Sequence, residues 1–500
     1  MKKNLYIKIA LIIVSIIILY KVADIYGTRK VDTFLKSKDI AYKDISVNFL
    51  LGNVSLKDVN YQKDSLYFKA DKIALEGFSY IDYLQNEELI FSDLETDDLK
   101  ITGNFLHQSK KTDTIKNEEN TKSNQFPKIT IDEIDLKDIK IDVLKSDKFP
   151  LIVKNISIEI DDFELDPILK NSIPFKYSAI KTSIVGFESQ FSEVQKVKFK
   201  KLNFETDQII VDSLEIVPLK SKYEYIYHLK QKNEEELLTL VAKEIKVDNI
   251  QLTQKDRMSF SIDTILVDDV FFNLYLDATH LQERTRIKSL YSKSLRELPF
   301  DIDVKKIDII NSQIVYEEYT KKGNDAGILV FDDLKAQIQN INNNESKVEK
   351  LTTVNIQSKF METSPLDITW TFDINNKNDD FRIFGSLMNV SSKNMSAFIK
   401  PTTNVKIEGQ IHKMYFDFEG NNNVSNGKME MDFKNFDIQV LDDQKNKKTV
   451  LSWVINLFVK DSSKNGMVKV DVKEVERNKS KSIWNYLWIN IEKGLQKSLL

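Results

Sequence analysis

The stretch Ile129–Asp166, ITIDEIDLKDIKIDVLKSDKFPLIVKNISIEIDDFELD, carries its apolar side chains in pairs rather than in a steady alternation. Ile129 and Ile131, Ile134 and Leu136, and Ile139 and Ile141 each stand two residues apart, the spacing that places both members on one face of a strand. Between pairs the phase slips by one residue, which in a plain strand would send the next pair to the opposite face. The pattern therefore predicts a bulge or tight turn at each slip, where Asp132-Glu133 and Lys137-Asp138 stand. The element is short, kinked β-structure with one apolar face.

The same spacing returns elsewhere. Val54, Leu56, Val59 and Tyr61 enclose Asp58, and Leu94, Thr96, Leu99 and Ile101 enclose Asp98, just as Ile134, Leu136, Ile139 and Ile141 enclose Asp138. These copies begin at residues 54, 94 and 134, forty residues apart, which suggests a propeller blade. The later copies, Ile245, Val247, Ile250 and Leu252, then Ile307, Ile309 and Ile314, break the interval and bring no Gly-His to Trp-Asp signature, so the propeller is set aside. Ile134 and Ile245 are also too large for the inward position of a pentapeptide β-helix. Copies are followed by second strand groups, such as Phe68, Ala70, Ile73 and Leu75 or Leu151, Val153, Ile156 and Ile158, which read as antiparallel partners. The acid pairs Asp161-Asp162, Asp268-Asp269 and Asp332-Asp333 recur in or near these groups. A calcium site needs several oxygens converging in one loop, whereas aspartate is a common turn residue, so the turn reading is preferred and no metal or cofactor is expected.

Composition narrows the class. The 500 residues are 41% hydrophobic and 30% charged, which excludes both a disordered chain and a polytopic membrane protein. Lys and Arg number 72 against 76 Asp and Glu, with the signs interspersed, so there is no basic footprint for nucleic acid. Cysteine is absent, which removes disulfides and thiolate metal sites. No HExxH pair, P-loop, nucleotide-binding glycine fingerprint or Gly-x-Ser-x-Gly is present, and an enzyme is not expected.

Lys2 and Lys3 precede an apolar segment, Leu5–Tyr26, which contains Ile9, Leu11, Ile12, Ile16 and Leu19. No small-x-small cleavage site follows it, so it reads as a retained membrane anchor, residues 1–27, with its N-terminus in the cytoplasm. Thr28–Lys38 reads as a polar helix or stalk. The remaining divisions are a first β-region, 28–106; a polar, disordered surface insertion, 107–126; a repeated β-region with helical insertions, 127–350; a second β-region, 351–478; and an amphipathic helix, 479–500. Tyr223–Leu240 is expected to be helical, as is the segment carrying Ile287, Leu290, Tyr291, Leu295 and Leu298. In the last helix Ile483, Leu487, Ile491, Leu495 and Leu499 mark a stripe flanked by Trp484 and Trp488. Trp484, Leu487, Trp488, Ile491 and Leu495 fit an interfacial membrane helix, and the same residues would also serve to cap an open apolar sheet. The predicted architecture is mainly β: a transmembrane helix, then an elongated, curved antiparallel sheet shaped as a groove, with a few short helices and the C-terminal amphipathic helix.

The order of the apolar anchor, FLLGNVSLKDVNY at 49–61, LYFKADKIALEGFSYIDYL at 66–84 and ELIFSDLETDDLKITG at 88–103 resembles the N-terminal region of the AsmA-like proteins, which are related to the bridge-like lipid transfer proteins. Later segments, IVPLKSKYEYIYHL, LRELPFDIDVKKIDIINSQIVYEEY and VERNKSKSIWNYLW, resemble envelope proteins of that group. The resemblance implies a single span in a bacterial inner membrane, a periplasmic β-groove, and a part in envelope lipid transport or outer-membrane homeostasis. Phospholipid or another acyl-chain lipid, and envelope proteins, are the partners it implies. On this reading Val54, Leu56, Ile134, Leu136, Ile139, Ile245, Val247, Ile307 and Ile309 would line the lipid groove. The alternative is a scaffold of the envelope that transports nothing.

Overall fold

The computed structural model describes residues 21, 24–105, 127–146, 148–166, 175–222, 224–225, 236–254, 257–280, 287–320, 325–344, 351–403, 405–440, 460–463 and 466–499. The described chain is mainly β, in a mixed sheet with few short helices. It divides into two compact units. The first comprises Met1–Ser192, Val197–Val211 and Gln254–Asp256, and the second Glu193–Lys196, Asp212–Thr253 and Arg257–Leu500.

The first unit contains strands β1 (Asp44–Asn48), β2 (Asn53–Lys63), β3 (Leu66–Glu76), β4 (Leu89–Asp97), β5 (Lys100–Phe105), β6 (Ile129–Lys145), β7 (Phe149–Leu165), β8 (Phe175–Lys176) and β9 (Ala179–Gln190). β10 (Gln195–Glu205) and β11 (Gln208–Pro218) contain residues of both units. Of the two slips predicted in this stretch, the one at Lys137-Asp138 shifts the register, whereas at Asp132-Glu133 β6 stays in register with β4 and β7. Register jumps between Leu136 and Ile139 and again before Ile141, and Asp138 holds φ at 54°. Asp58 and Asp98 hold 50° and 45°. A left-handed residue takes up the extra position, so Ile131, Ile134, Ile139 and Val143 remain buried on one face while Asp132, Glu133, Lys137 and Asp138 are exposed.

Two expectations need correction here. The sheet is not antiparallel throughout, because β4 and β5 both pair with β6 in parallel. A parallel neighbour cannot be reached by a hairpin, so none joins the consecutive strands β5 and β6. The polar segment 107–126 lies outside the described residues. Nor is the segment expected as a polar helix or stalk after the anchor wholly polar: of the two readings it is the helix, and it has an apolar side. Residues 24–37 are helical, and Val31 and Leu35, four residues apart, pack with Leu56, Val59 and Ala70.

The second unit contains β12 (Glu236–Asp248), β13 (Gln251–Gln254, all but its last residue), β14 (Met258–Asp277), β15 (Asp301–Tyr319), β16 (Gly327–Asn342), β17 (Leu351–Phe360), β18 (Ser364–Asp373), β19 (Phe381–Ser391), β20 (Val405–Gly420), β21 (Val424–Val440) and β22 (Val468–Glu476). β14 and β15 are parallel, and the chain between them carries the short helix Tyr291–Arg296. From β15 to β22 each strand pairs antiparallel with the next. The expected helix over Tyr223–Leu240 ends in strand instead, since β12 starts at Glu236; residues 223 and 226–235 lie outside the described set. A helix not read from the sequence, Ser392–Thr403, joins β19 to β20. The second member of each acid pair, Asp162, Asp269 and Asp333, sits at positive φ, and the pairs are backbone devices. Among the described residues no group of three or more metal-ligating side chains is gathered.

Candidate functional site

Directly paired residues in neighbouring strands present their side chains on the same face, so register can be read across the sheet as rows. In the first unit one row runs Val54, Leu75, Leu94, Ile134, Ile160, Ile180. The next runs Leu56, Ile73, Thr96, Leu136, Ile158, Thr182. A third runs Tyr61, Phe68, Ile101, Ile141, Val153, Phe187, and the Phe187 ring stacks on Phe199 at 4.6 Å. Val54, Leu56, Ile134, Leu136 and Ile139 therefore belong to one continuous apolar face. The forty-residue repeat acquires a meaning in this arrangement: its first three copies share rows.

The described helices of this unit, 24–37 and Tyr80–Asn86, pack at the β2 to β4 end. Further along, Ile156, Ile158, Ile160, Ile184 and Phe187 stay half-buried. On the opposite face charge is paired laterally across the same bulges. Lys140 donates a hydrogen bond to Asp98 and holds that carboxyl below the ordinary carboxylate range, and Lys72 does the same for Glu95 at 2.7 Å.

The second unit repeats the arrangement over ten strands. One row runs Val247, Ile265, Ile307, Ile338, Val354, Trp370, Ile383, Phe418, Gly427, Val472. The adjoining row runs Ile245, Val267, Ile309, Ala336, Ile356, Ile368, Gly385, Phe416, Met429, Val470. Burial changes along them. Ile245, Val247, Ile307 and Ile309 are half-buried, whereas Ile383 is 1% exposed and Met429 and Val472 are 0% exposed. At that end the face is a closed core.

What closes it is the C-terminal helix, Ile483–Leu499, packed on β21 and β22. Its buried residues are Ile483, Tyr486, Asn490, Gly494, Ser498 and Leu499, a line that meets the predicted aliphatic stripe at Ile483 and Leu499 and runs one residue away from it in between. The reason is close approach. A Cβ on Gly494 would come within 2.7 Å of Met429 Sδ, Ser425 Oγ donates to Asn490 Oδ1 at 3.0 Å, and Tyr486 Oη donates to the Val475 carbonyl at 3.3 Å. Leu487, Ile491 and Leu495, expected at a membrane interface, pack against the protein's own core. Trp484 is the exposed member; its ring meets Trp370 edge-on at 5.9 Å and its Nε1 donates to Tyr291 Oη at 3.3 Å. Trp488 is half-buried. A polar latch holds the neighbouring loop: Arg296 donates to the Ile374 and Asn376 carbonyls at 2.6 and 2.8 Å and to Asp379 at 2.9 Å, and Ser292 donates to the same carboxylate.

The expected anchor residues Ile9, Leu11, Ile12, Ile16 and Leu19 lie outside the described residues. Among the described residues no helix is long and apolar enough to cross a membrane. Sequence reasoning overlooked Leu75, Leu94, Ile160 and Ile180 as members of this apolar face, although the strand groups containing most of them were legible; only the register joins them. No family model and no curated protein matches the chain.

Proposed function

We propose that this chain is an envelope protein, anchored in a membrane by Leu5–Tyr26, that holds acyl chains of phospholipid or a similar lipid along the apolar face of its sheet and so supports transfer between envelope membranes. The observation that carries the reading is the set of transverse rows in the first unit, largely apolar over six strands, with Ile158, Ile160, Ile180 and Phe187 half-buried in β7 and β9. The described helices pack at the β2 to β4 end, and acyl chains match the chemistry of the half-buried face beyond it. The resemblance to AsmA-like proteins points to the same role.

Mass spectrometry of the full-length protein released gently from membranes tests it. Wild type should carry lipid, while Leu136→Glu and Ile158→Glu, in the middle row, should keep their β circular dichroism and lose it. Wild type free of lipid would leave the second reading, an envelope scaffold, which the helix-closed core of the second unit favours.

A further inference from the structure

One end of the first unit exposes a cluster of large apolar side chains. Leu50 and Leu51, in the turn between β1 and β2, are 75% and 60% exposed, and Ile81 and Leu84, on the helix Tyr80–Asn86, are 68% and 81% exposed. The turn and the helix form one platform. Tyr80 Oη donates to the Phe49 carbonyl at 2.6 Å, the two rings lie 5.0 Å apart, and Phe78 meets Tyr80 edge-on at 5.1 Å. A contiguous patch of this kind marks a surface that meets a partner.

The chain indicates which partner. Phe49 N–H donates to Asp24 Oδ1 at 2.8 Å, and a Cβ on Gly27 would lie 3.4 Å from Val47 and 3.5 Å from Phe49. The platform is thus fastened to Asp24 and Gly27, at the C-terminal end of the apolar segment Leu5–Tyr26. Tyr26 and Tyr83 are exposed beside it, and Lys30 reaches over the Tyr26 ring at 5.5 Å. Tyrosine and lysine next to aliphatic side chains are the residue types that settle at the headgroup level of a bilayer.

We propose that the β1–β2 turn and the Tyr80–Asn86 helix form a foot that inserts Leu50, Leu51, Ile81 and Leu84 into the headgroup and acyl boundary of the membrane holding the anchor. The inference rests on the anchor part of the functional reading. It places the first apolar row, Val54, Leu75 and Leu94, next to the bilayer surface, so lipid enters the sheet from the foot.

The chain has no cysteine, so single labels are unambiguous. Leu51→Cys, Leu84→Cys, Lys57→Cys and Ile12→Cys are each labelled with a polarity-sensitive fluorophore in the full-length protein, reconstituted in vesicles of phosphatidylcholine and phosphatidylglycerol. Probes at 51 and 84 should shift to the blue, lose quenching by aqueous iodide and gain quenching by a lipid carrying a nitroxide near its headgroup, while the probe at 57 stays water-like. Water-like emission at 51 and 84 beside a protected probe at 12 overturns the foot and leaves the anchor standing; a water-exposed probe at 12 overturns the anchor, and the foot is then judged on 51 and 84 alone. Iodide protection at 51 and 84 without nitroxide quenching means that protein covers the patch, and overturns the foot as well.

Discussion

Asp58, Asp98, Asp138, Asp269 and Asp333 carry left-handed backbone, and at Asp138 and Asp333 the register with a neighbouring strand shifts. A β-branched side chain in that region meets steric cost that aspartate and asparagine tolerate and glycine does not feel. Asp138→Val is expected to lose about 2 kcal/mol in urea unfolding, against about 1 kcal/mol or less for Asp138→Gly, which forfeits only the hydrogen bond from Asn155. Glu318 tests electrostatics at the same scale. Burial pushes its carboxyl above the ordinary 4.5, against a hydrogen bond from Tyr316 that lowers it. The unfolded chain therefore gives up this proton first as pH rises, so the native state is favoured below about 4.5 and loses that advantage as pH climbs through the raised value. Glu318→Gln should raise the melting temperature at pH 8 and leave it unchanged at pH 4.

Helices are where hydropathy misleads. In Ile483–Leu499 the eye follows Leu487, Ile491 and Leu495, yet the line pressed deepest into the sheet contains Asn490, Gly494 and Ser498. Small residues let a helix backbone come close, and a hydropathy pattern gives them no weight. Gly494→Leu, which would have to displace Met429, should destabilise the second unit by about 1–3 kcal/mol in denaturant unfolding. The latch under the Tyr291–Arg296 helix makes a sharper case. Asp379 is buried, and Arg296→Ala would leave its carboxylate without its cation, at a cost of about 3–5 kcal/mol in the same measurement.

Across each unit the apolar rows have the same chemistry and different surroundings, so one substitution has two outcomes. Leu136→Glu in the half-buried part of the first unit should leave melting nearly unchanged, while Ile383→Glu in the closed core of the second should unfold that unit, a contrast that calorimetry reads directly. The sequence by itself determined the β class, the single apolar face of each strand and the bulges that preserve it, because the two-residue period and the one-residue slips are local and aspartate marks each slip. Tertiary structure alone decided which strands are parallel, since β4 and β6 need not be consecutive to be neighbours and register between them depends on a long connection. It decided too that the C-terminal helix closes a core and that Leu50, Leu51, Ile81 and Leu84 stand together in the open, because a leucine reads alike in sequence whether it is covered or exposed.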